Sequence, residues 1–280
     1  MSCINHTSVP NNISNDLGSF PISSAIRSIN IEPKFKGLVP LDIEAFEPQH
    51  REAAEDANRY LSSIMRGEIP ERLYARMNHG FSKYFMWVMY DYWSKKELRD
   101  TENDFGSFRD VLTENGIWSI VDKHVAKELA DKLKGKKVLE VMAGSGWWSK
   151  ALAEQGLEVT ATDNFSTHPS NMQVFPVMNL DDIEAVKRLG KDYDVLMVSW
   201  PPYENETFME ACRLWGEDKP IIYIGETSGD CCGTDELFKH LKVDERIKDF
   251  DTGFDLRDKC QIVHWSNEEV STEYQDDDDD

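Results

Sequence analysis

The chain has 280 residues, of which 40% are hydrophobic and 11% aromatic, which is enough apolar material for one domain of ordinary size plus an extension. Its 52 acidic residues outnumber 31 basic residues and give a formal net charge of −21. Non-specific nucleic-acid binding needs clustered lysine and arginine, so this balance disfavours a nucleic-acid partner. We find no apolar run of the about 20 residues that a membrane helix needs and no secretory pattern at the N-terminus. These features predict a cytoplasmic protein without a membrane partner.

The cysteine and histidine pattern indicates no metal centre. The five cysteines are odd in number and contain no CxxC pair, which argues against a zinc ribbon or a dithiol site. Cys231 and Cys232 are adjacent, too close for an easy disulfide. We predict reduced thiols and no bound metal.

Both ends of the chain differ in composition from its middle. Residues 1–35 are rich in Ser, Asn and Pro without a sustained period, and residues 268–280 end in five aspartates, so we predict a disordered arm and a disordered acidic tail. Residues 36–105 form a predicted helical extension, or cap. Its first helix covers 43–66, and an aromatic-rich stretch covers 71–98. An aromatic stripe of this kind is typical of a helical core, although it leaves open a contribution to an acceptor pocket.

From residue 106 to 267, short β-branched runs alternate with helical segments. The predicted strands cover 137–142, 158–162, 174–177, 194–200, 220–224 and 260–265. The predicted helices cover 119–133, 147–155, 181–189, 207–215 and 234–241. This alternation predicts an α/β fold, a Rossmann-like and mostly parallel sheet with helices on both faces, preceded by the helical extension.

A glycine-containing turn follows the first predicted strand at once. Ala143, Gly144, Ser145 and Gly146 join that strand to a helix, so small residues allow close backbone approach to a ligand at a helix N-terminus. Glu140 lies inside the preceding apolar strand, where an unpaired carboxylate is costly. Either it forms a buried ion pair with a loop lysine, or it orders the turn or binds a ligand ammonium.

An acidic residue ends the second predicted strand. Asp163 stands where this architecture places a carboxylate that accepts hydrogen bonds from ribose hydroxyls. The turn lacks the third glycine of the dinucleotide-binding GxGxxG pattern and continues with Trp147 and Trp148. A nucleotide cofactor is expected, but the glycines alone do not identify it.

Residues 136–265 resemble a class I S-adenosylmethionine-dependent methyltransferase domain. The resemblance rests on the segment from Leu139 to Gly146, on Asp163 with Asn164, on Asp181, and on the segment from Val198 to Tyr203. It implies S-adenosylmethionine as the cofactor. The turn from Ala143 to Gly146 would contact its methionine part, with Glu140 supporting the turn.

The resemblance also implies a binding site for the nucleoside. Asp163 would bind the ribose diol, with Asn164 beside the adenine. Asp181 would face the adenine amino group, and Leu180 would pack on the ring.

The methyl acceptor is expected at Ser199, Trp200, Pro201, Pro202 and Tyr203. In amino-group methyltransferases of this family, Asp, Asn or Ser directly precedes Pro-Pro and an aromatic residue. Here Trp200 takes that position and Ser199 comes one residue earlier. An indole only donates hydrogen bonds, so this departure argues against base-amino methylation. The alternative is that Trp200 and Tyr203 only pack against the sheet edge.

The acidic composition favours a small-molecule or protein acceptor. Three alternatives stay open: a nucleic-acid base amino methyltransferase, a non-catalytic S-adenosylmethionine-binding protein, and a nicotinamide-dependent oxidoreductase, against which the missing third glycine argues. Glu226, in the predicted loop after the fifth strand, is a candidate base or amine anchor, with a solvated loop acid as the alternative.

Overall fold

A computed structural model describes most of the α/β region and part of the N-terminal extension. The described residues are 40–46, 48–72, 112–113, 115–166, 172–227, 231–247, 250 and 258–270. The predicted arm (1–35), most of the aromatic-rich stretch (71–98) and nearly all of the acidic tail lie outside them.

Seven strands form one sheet in the order β3-β2-β1-β4-β5-β7-β6. Their bounds are β1 Lys137–Glu140, β2 Glu158–Asp163, β3 Val177–Asn179, β4 Val195–Ser199, β5 Ile221–Glu226, β6 Leu241–Arg246 and β7 Asp258–Trp265. Strands β1 to β5 are parallel to one another, and β7 pairs antiparallel with both β5 and β6. The predicted mostly parallel sheet is confirmed. The order reverses between β1 and β4, which is the point where open α/β sheets bind ligands.

Helices cover both faces of this sheet, as predicted. Their bounds are α1 Arg51–Met65, α2 Lys123–Lys132, α3 Trp147–Glu154, α4 Asp182–Leu189, α5 Thr207–Trp215 and α6 Asp235–Lys239. One apolar cluster joins α1, α2 and α3 to one face through strand residues such as Val138, Val195 and Ile222. A second joins α4, α5 and α6 to the other face through Leu139, Leu196 and others. Strands β4 and β5 read as continuous apolar runs because both of their faces are buried.

Helix α1 shares the core of the sheet. Ala54, Ala57, Leu61 and Ile64 are fully or nearly fully buried at three- and four-residue spacing. The Tyr60 hydroxyl donates to the Val121 carbonyl at 2.9 Å. The described part of the predicted extension therefore packs on the α/β region as one core.

Three predicted boundaries are wrong. The helix expected from residue 43 begins at Arg51, because the residues before it form two short 3₁₀ helices, Ile43–Ala45 and Pro48–His50. The helix expected from residue 119 begins at Lys123, because the Asp122 side chain accepts a hydrogen bond from Val125 N and acts as the N-cap. The strand expected at 174–177 covers Val177–Asn179 instead, since Pro176 has no N–H for a ladder and Val174 N donates to Ser145 O.

One strand, β6, has no counterpart among the predicted elements. Its sequence LKVDER is charged, and only Leu241 is buried, so it lacks the apolar run of the other strands. Such charged edge strands resist pairing with other chains. Among the described residues, no helix is long and apolar enough to span a bilayer.

Candidate functional site

The turn between β1 and α3 forms the centre of a candidate ligand site. We call residues 140–149 together with Asp163 the cradle. Met142 and Gly144 both have φ of 53°, and Gly146, the residue that caps α3, has φ of 79°. These left-handed conformations favour glycine, which explains the residue type at two of the three positions.

The two glycines of the cradle differ in what surrounds them. A Cβ added to Gly146 would lie 2.9 Å from Phe175 Cβ and 3.1 Å from Val177 Cγ2, so Gly146 permits close packing inside the protein. A Cβ added to Gly144 would meet nothing within 4 Å among the described atoms. The open side of the turn is therefore at Gly144, where a bound molecule can approach the backbone.

Asp163 holds the turn through its carboxylate. One oxygen accepts a hydrogen bond from Gly144 N at 2.8 Å and the other from Phe165 N at 2.5 Å, with 9% of the residue exposed. A carboxylate offers about four acceptor positions, so two remain for a ligand. The predicted neighbourhood of turn and carboxylate is present, and the carboxylate also orders the turn.

The buried Glu140 side chain connects β1 to the helix that follows the turn. Its side chain is 1% exposed and accepts a hydrogen bond from the Ser149 hydroxyl in the first turn of α3. Burial raises the pKa of Glu140 to about 7; hydrogen bonds from Ser149 oppose this, and the nearby Asp163 charge adds to it. Within the described part of the chain no lysine pairs with Glu140, so the predicted ordering role is favoured over an ion pair.

The Ser145 hydroxyl is buried and lies against a glycine of an earlier segment. It has no hydrogen-bond partner among the described residues. A Cβ added to Gly116 would lie 3.0 Å from Ser145 Cβ and closer still to Ser145 Oγ. Ala143, the remaining residue of the turn, is half-buried and donates its N–H to Thr162 O at 3.0 Å.

The three residues expected around an adenine lie at the carboxyl ends of β2 and β3. Asn164 is exposed, and its Oδ1 accepts from Ser166 N at 2.9 Å. Leu180 is half-buried and donates its N–H to Asp163 O at 3.1 Å. Asp181 caps α4 by accepting from Glu184 N at 2.8 Å. Asn164 and Leu180 lie beside Asp163, whereas Asp181 follows Leu180 and has a local structural function as the α4 cap.

A hydrogen-bonded pair of serines connects β4 to the segment before α2. The hydroxyls of Ser199 and Ser119 are 2.7 Å apart, and Trp148 Nε1 donates to Ser119 Oγ at 2.7 Å. Ser119 is 4% exposed. Ser199, a predicted acceptor-site residue, is thus held by a serine 80 residues away in sequence.

Trp200 sits in a strained turn with specific partners. Its φ is 56°, its N–H donates to Ile224 O at 2.8 Å, and its Nε1 donates to Asp258 Oδ1 at 3.0 Å. Its ring stacks on Trp118, with centroids 6.5 Å apart and an interplanar angle of 25°. A bulky residue at positive φ is uncommon and marks a constrained site.

The remaining predicted acceptor residues form a fixed turn. The backbones of Pro202 and Cys232 pair as an isolated antiparallel β-bridge, and Gly233 N donates to the Pro201 carbonyl at 3.1 Å. Tyr203 is 51% exposed, so it does not serve only to pack the sheet edge.

Glu226 is not a solvated loop acid. It is the last residue of β5, 8% exposed, and directly opposite Asp258 of β7 in the antiparallel register. Asp258 is 5% exposed. We use the name aromatic rim for Trp118, Ser119, 199–203, Glu226 and Asp258, all near the carboxyl ends of β4 and β5.

Sequence reasoning missed four residues of this arrangement: Gly116, Trp118, Ser119 and Asp258. None carries a motif, and the first three precede the first strand of the sheet. Of these four, only Gly116 offers a local indication in the sequence, because a glycine is typical of a left-handed position; its φ is 74°. Their importance depends on contacts between segments that are far apart in sequence.

No metal centre is present among the described residues, because no three His, Cys, Asp or Glu side chains come together there. Four of the five cysteines are described, and no disulfide forms among them: Cys212, Cys231, Cys232 and Cys260. A cavity of ≈ 590 Å³ lies elsewhere, lined by Asp56, Arg59, Arg66 and other residues of and around α1. It contains no residue of the cradle or the aromatic rim.

Comparison with known proteins gives only remote similarities. No protein-family model matches the chain, and no curated protein sequence matches it. Among solved structures, a SAM dependent methyltransferase from Archaeoglobus fulgidus is 23% identical with a TM-score of 0.30, over 38% of this chain and 55% of that one. TehB from Haemophilus influenzae is 12% identical with a TM-score of 0.38, over 56% and 66%. A SAM dependent methyltransferase from Agrobacterium tumefaciens is 14% identical with a TM-score of 0.33, over 51% and 60%.

The matched part thus spans 55%, 66% and 60% of those three chains. Because the identities and TM-scores are this low, the description of the fold rests on the strand order and register of this chain itself.

Proposed function

We propose that the protein is an S-adenosylmethionine-dependent methyltransferase. The observation that carries the proposal is the open backbone at Gly144, held by the Asp163 carboxylate and placed at the switch point beside the aromatic rim. A nucleotide cofactor needs close backbone approach and a carboxylate for its ribose, and both are present at one edge of the sheet.

The residues of the cradle fit this cofactor. The turn from Ala143 to Gly146 would contact its methionine part, and the buried Ser145 hydroxyl in that turn has no hydrogen-bond partner within the described part of the chain. Asp163 would accept from the ribose hydroxyls with its remaining acceptor positions. When bound, S-adenosylmethionine supplies an electrophilic methyl group on a sulfonium.

The nucleoside would extend from Asp163 along the ends of β2 and β3. Asn164 and Leu180 would lie beside the adenine, and Asp181 would face its amino group. Asp181 caps α4 with one oxygen, which leaves the other for that contact.

The protein's own residues orient the two reactants. Glu140 and Asp163 fix the turn, and the Ser199–Ser119 pair fixes the end of β4 relative to α3. Pre-positioning of donor and acceptor is a major source of rate enhancement in group transfer. In this proposal residues 106–267 form the cofactor domain and 36–105 a cap over the acceptor, which is a small molecule or a protein.

Two observations bear on the alternatives. In the dinucleotide-binding order 3-2-1-4-5-6 the sixth strand follows the fifth, whereas here β7 lies antiparallel between β5 and β6, which disfavours a nicotinamide oxidoreductase. In the basic cluster at 132–137, Lys132 pairs with Glu245 and Lys137 with Glu158, which weakens the case for a nucleic-acid substrate. The third alternative, a non-catalytic S-adenosylmethionine-binding protein, would be favoured by cofactor binding without methyl transfer to any acceptor.

The experiment is a calorimetric titration with S-adenosylmethionine, S-adenosylhomocysteine and NADH. We expect micromolar binding of the two sulfur compounds and none of NADH. Binding of NADH alone would overturn the proposal, and so would silence from all three in folded protein. Labelled-methyl transfer to amines, proteins and single-stranded nucleic acid then separates the enzyme from a binding protein.

A further inference from the structure

The aromatic rim combines exposed ring surface with buried negative charge. Trp118 is 38% exposed and stacks on the half-buried Trp200, and Tyr203, three residues further along the chain, is 51% exposed. Exposed tryptophans and tyrosines are uncommon in a chain that buries most of its large apolar side chains. Their ring faces offer the negative quadrupole that attracts a cation.

Two buried carboxylates lie at this place: Glu226 is the last residue of β5, and Asp258 is the first residue of the neighbouring strand β7. Asp258 accepts from Trp200 Nε1, so its negative charge lies directly beside the aromatic pair. Glu226 faces Asp258 across the β5–β7 ladder. Lys259 is the next residue on β7, but strand alternation turns it to the opposite side, where it is exposed.

Aromatic faces and carboxylates together select positively charged ligands. An organic ammonium gains cation–π attraction from the rings and charge attraction from Asp258. An anion gains neither and is repelled, in agreement with the net charge of −21 of the whole chain. A neutral isostere keeps only the apolar contact.

We propose that the aromatic rim binds a small organic amine as the methyl acceptor, with Trp118 and Asp258 determining this specificity. This inference rests on the proposed methyltransferase function. The neutral amine nitrogen forms the new N–C bond with its lone pair as the C–S bond breaks, and the sulfur keeps that bonding pair as a thioether. The bound ammonium has no lone pair, so it first loses one proton to solvent; the positive charge then moves from sulfur to nitrogen as the N–C bond forms. The carboxylate of Asp258 stabilises the charge that develops on nitrogen.

Binding of arylalkyl amines tests this inference without requiring turnover. Phenethylamine and tryptamine are the cationic probes, 2-phenylethanol is the neutral isostere and 3-phenylpropionate the anionic one. Each is titrated calorimetrically against the full chain in the presence of S-adenosylhomocysteine. We expect the amines to bind at least about tenfold more tightly than 2-phenylethanol, and 3-phenylpropionate not to bind.

Variants then locate the site. Asp258→Asn keeps an oxygen that accepts from Trp200 Nε1 but removes the charge, so it should weaken amine binding about tenfold and leave 2-phenylethanol unchanged. Asp244→Asn is the matched control, because Asp244 lies on the edge strand β6 and pairs with His264 away from the rim. Trp118→Ala should weaken the binding of every probe that carries an aromatic ring.

Both the probe series and the variants can refute the proposed amine specificity. Amines that bind no better than 2-phenylethanol would overturn the inference, and so would an Asp258→Asn variant that binds them like Asp244→Asn. The cofactor titration is independent of these variants. Normal cofactor binding with no preference for amines therefore refutes only this inference, while amine binding without cofactor binding refutes the proposed function.

Discussion

The cradle and the aromatic rim meet at the same edge of the sheet but are built in different ways. The cradle is shaped by backbone: three left-handed residues, and two carboxylates that bind N–H and hydroxyl groups of the turn and the following helix. The rim is shaped by side chains that come from four separate segments of the chain. Backbone contacts suit a ligand that is the same in every reaction, such as a cofactor. Side-chain contacts change with the amino-acid sequence and therefore suit the selection of a substrate.

The cradle and the segment that leads into the rim pack closely at Gly116, and this contact gives the largest expected effect. Gly116→Ala would place a Cβ against Ser145 in a residue with φ of 74°, and we expect a loss of about 3 kcal/mol in the free energy of unfolding. Gly135→Ala is the matched control. Gly135 has φ of 79°, and a Cβ added there would meet no described atom within 4 Å. It should cost about 1 kcal/mol in urea denaturation. Equal losses would show that Gly116 does not couple the two regions.

Burial of Glu140 makes the cradle sensitive to pH. The folded protein raises the pKa of this carboxyl from 4.5 to about 7, so the folded state holds the proton more tightly than the unfolded state. The resulting stability is present at low pH and is lost as pH rises through about 7. Between pH 5 and 8, the wild type should lose about 2.5 kcal/mol relative to Glu140→Gln, which stays neutral. Parallel pH profiles of the two proteins in denaturant would contradict this account.

The rim depends on the buried bond between Ser119 and Trp148. Ser119→Ala leaves the Trp148 indole N–H without its acceptor and should cost about 2 kcal/mol of unfolding free energy. Ser63→Ala removes an exposed hydrogen bond to Arg59 O and should change stability by less than about 0.5 kcal/mol. Cofactor affinity should change less than acceptor affinity in Ser119→Ala. A larger effect on the cofactor would mean that the rim and the cradle are not separable.

The sequence was sufficient for the cradle because its contacts are local or follow from strand alternation. Glu140, Gly144 and Asp163 were found from their positions at strand ends, and the parallel sheet brought them together. The apolar run at 174–177 misled the strand prediction because Phe175 packs on Gly146 and Pro176 cannot join a ladder.

The rim and the sheet edge could not be predicted in the same way. Ser119 and Ser199 are 80 residues apart, and Trp118 becomes informative only through its stacking on Trp200. Strand β6 is the edge strand of the sheet that the described residues form, and its charged residues leave no hydrophobic pattern to detect. The helix start at Lys123 did have a local signal, since Asp122 is a favourable N-cap residue.

The most direct test of the cradle as the cofactor site compares two glycines that both have positive φ and open space around them but lie in different parts of the fold. Gly144 has φ of 53° and Gly156 has φ of 91°, and an added Cβ meets nothing within 4 Å at either position. Alanine should therefore destabilise both by about 1 kcal/mol, but only Gly144→Ala fills the open side of the cradle. In a calorimetric titration with S-adenosylmethionine, we expect Gly144→Ala to lose at least about tenfold in affinity and Gly156→Ala to match the wild type. Equal affinities for the two variants would contradict the assignment of the cradle as the cofactor site.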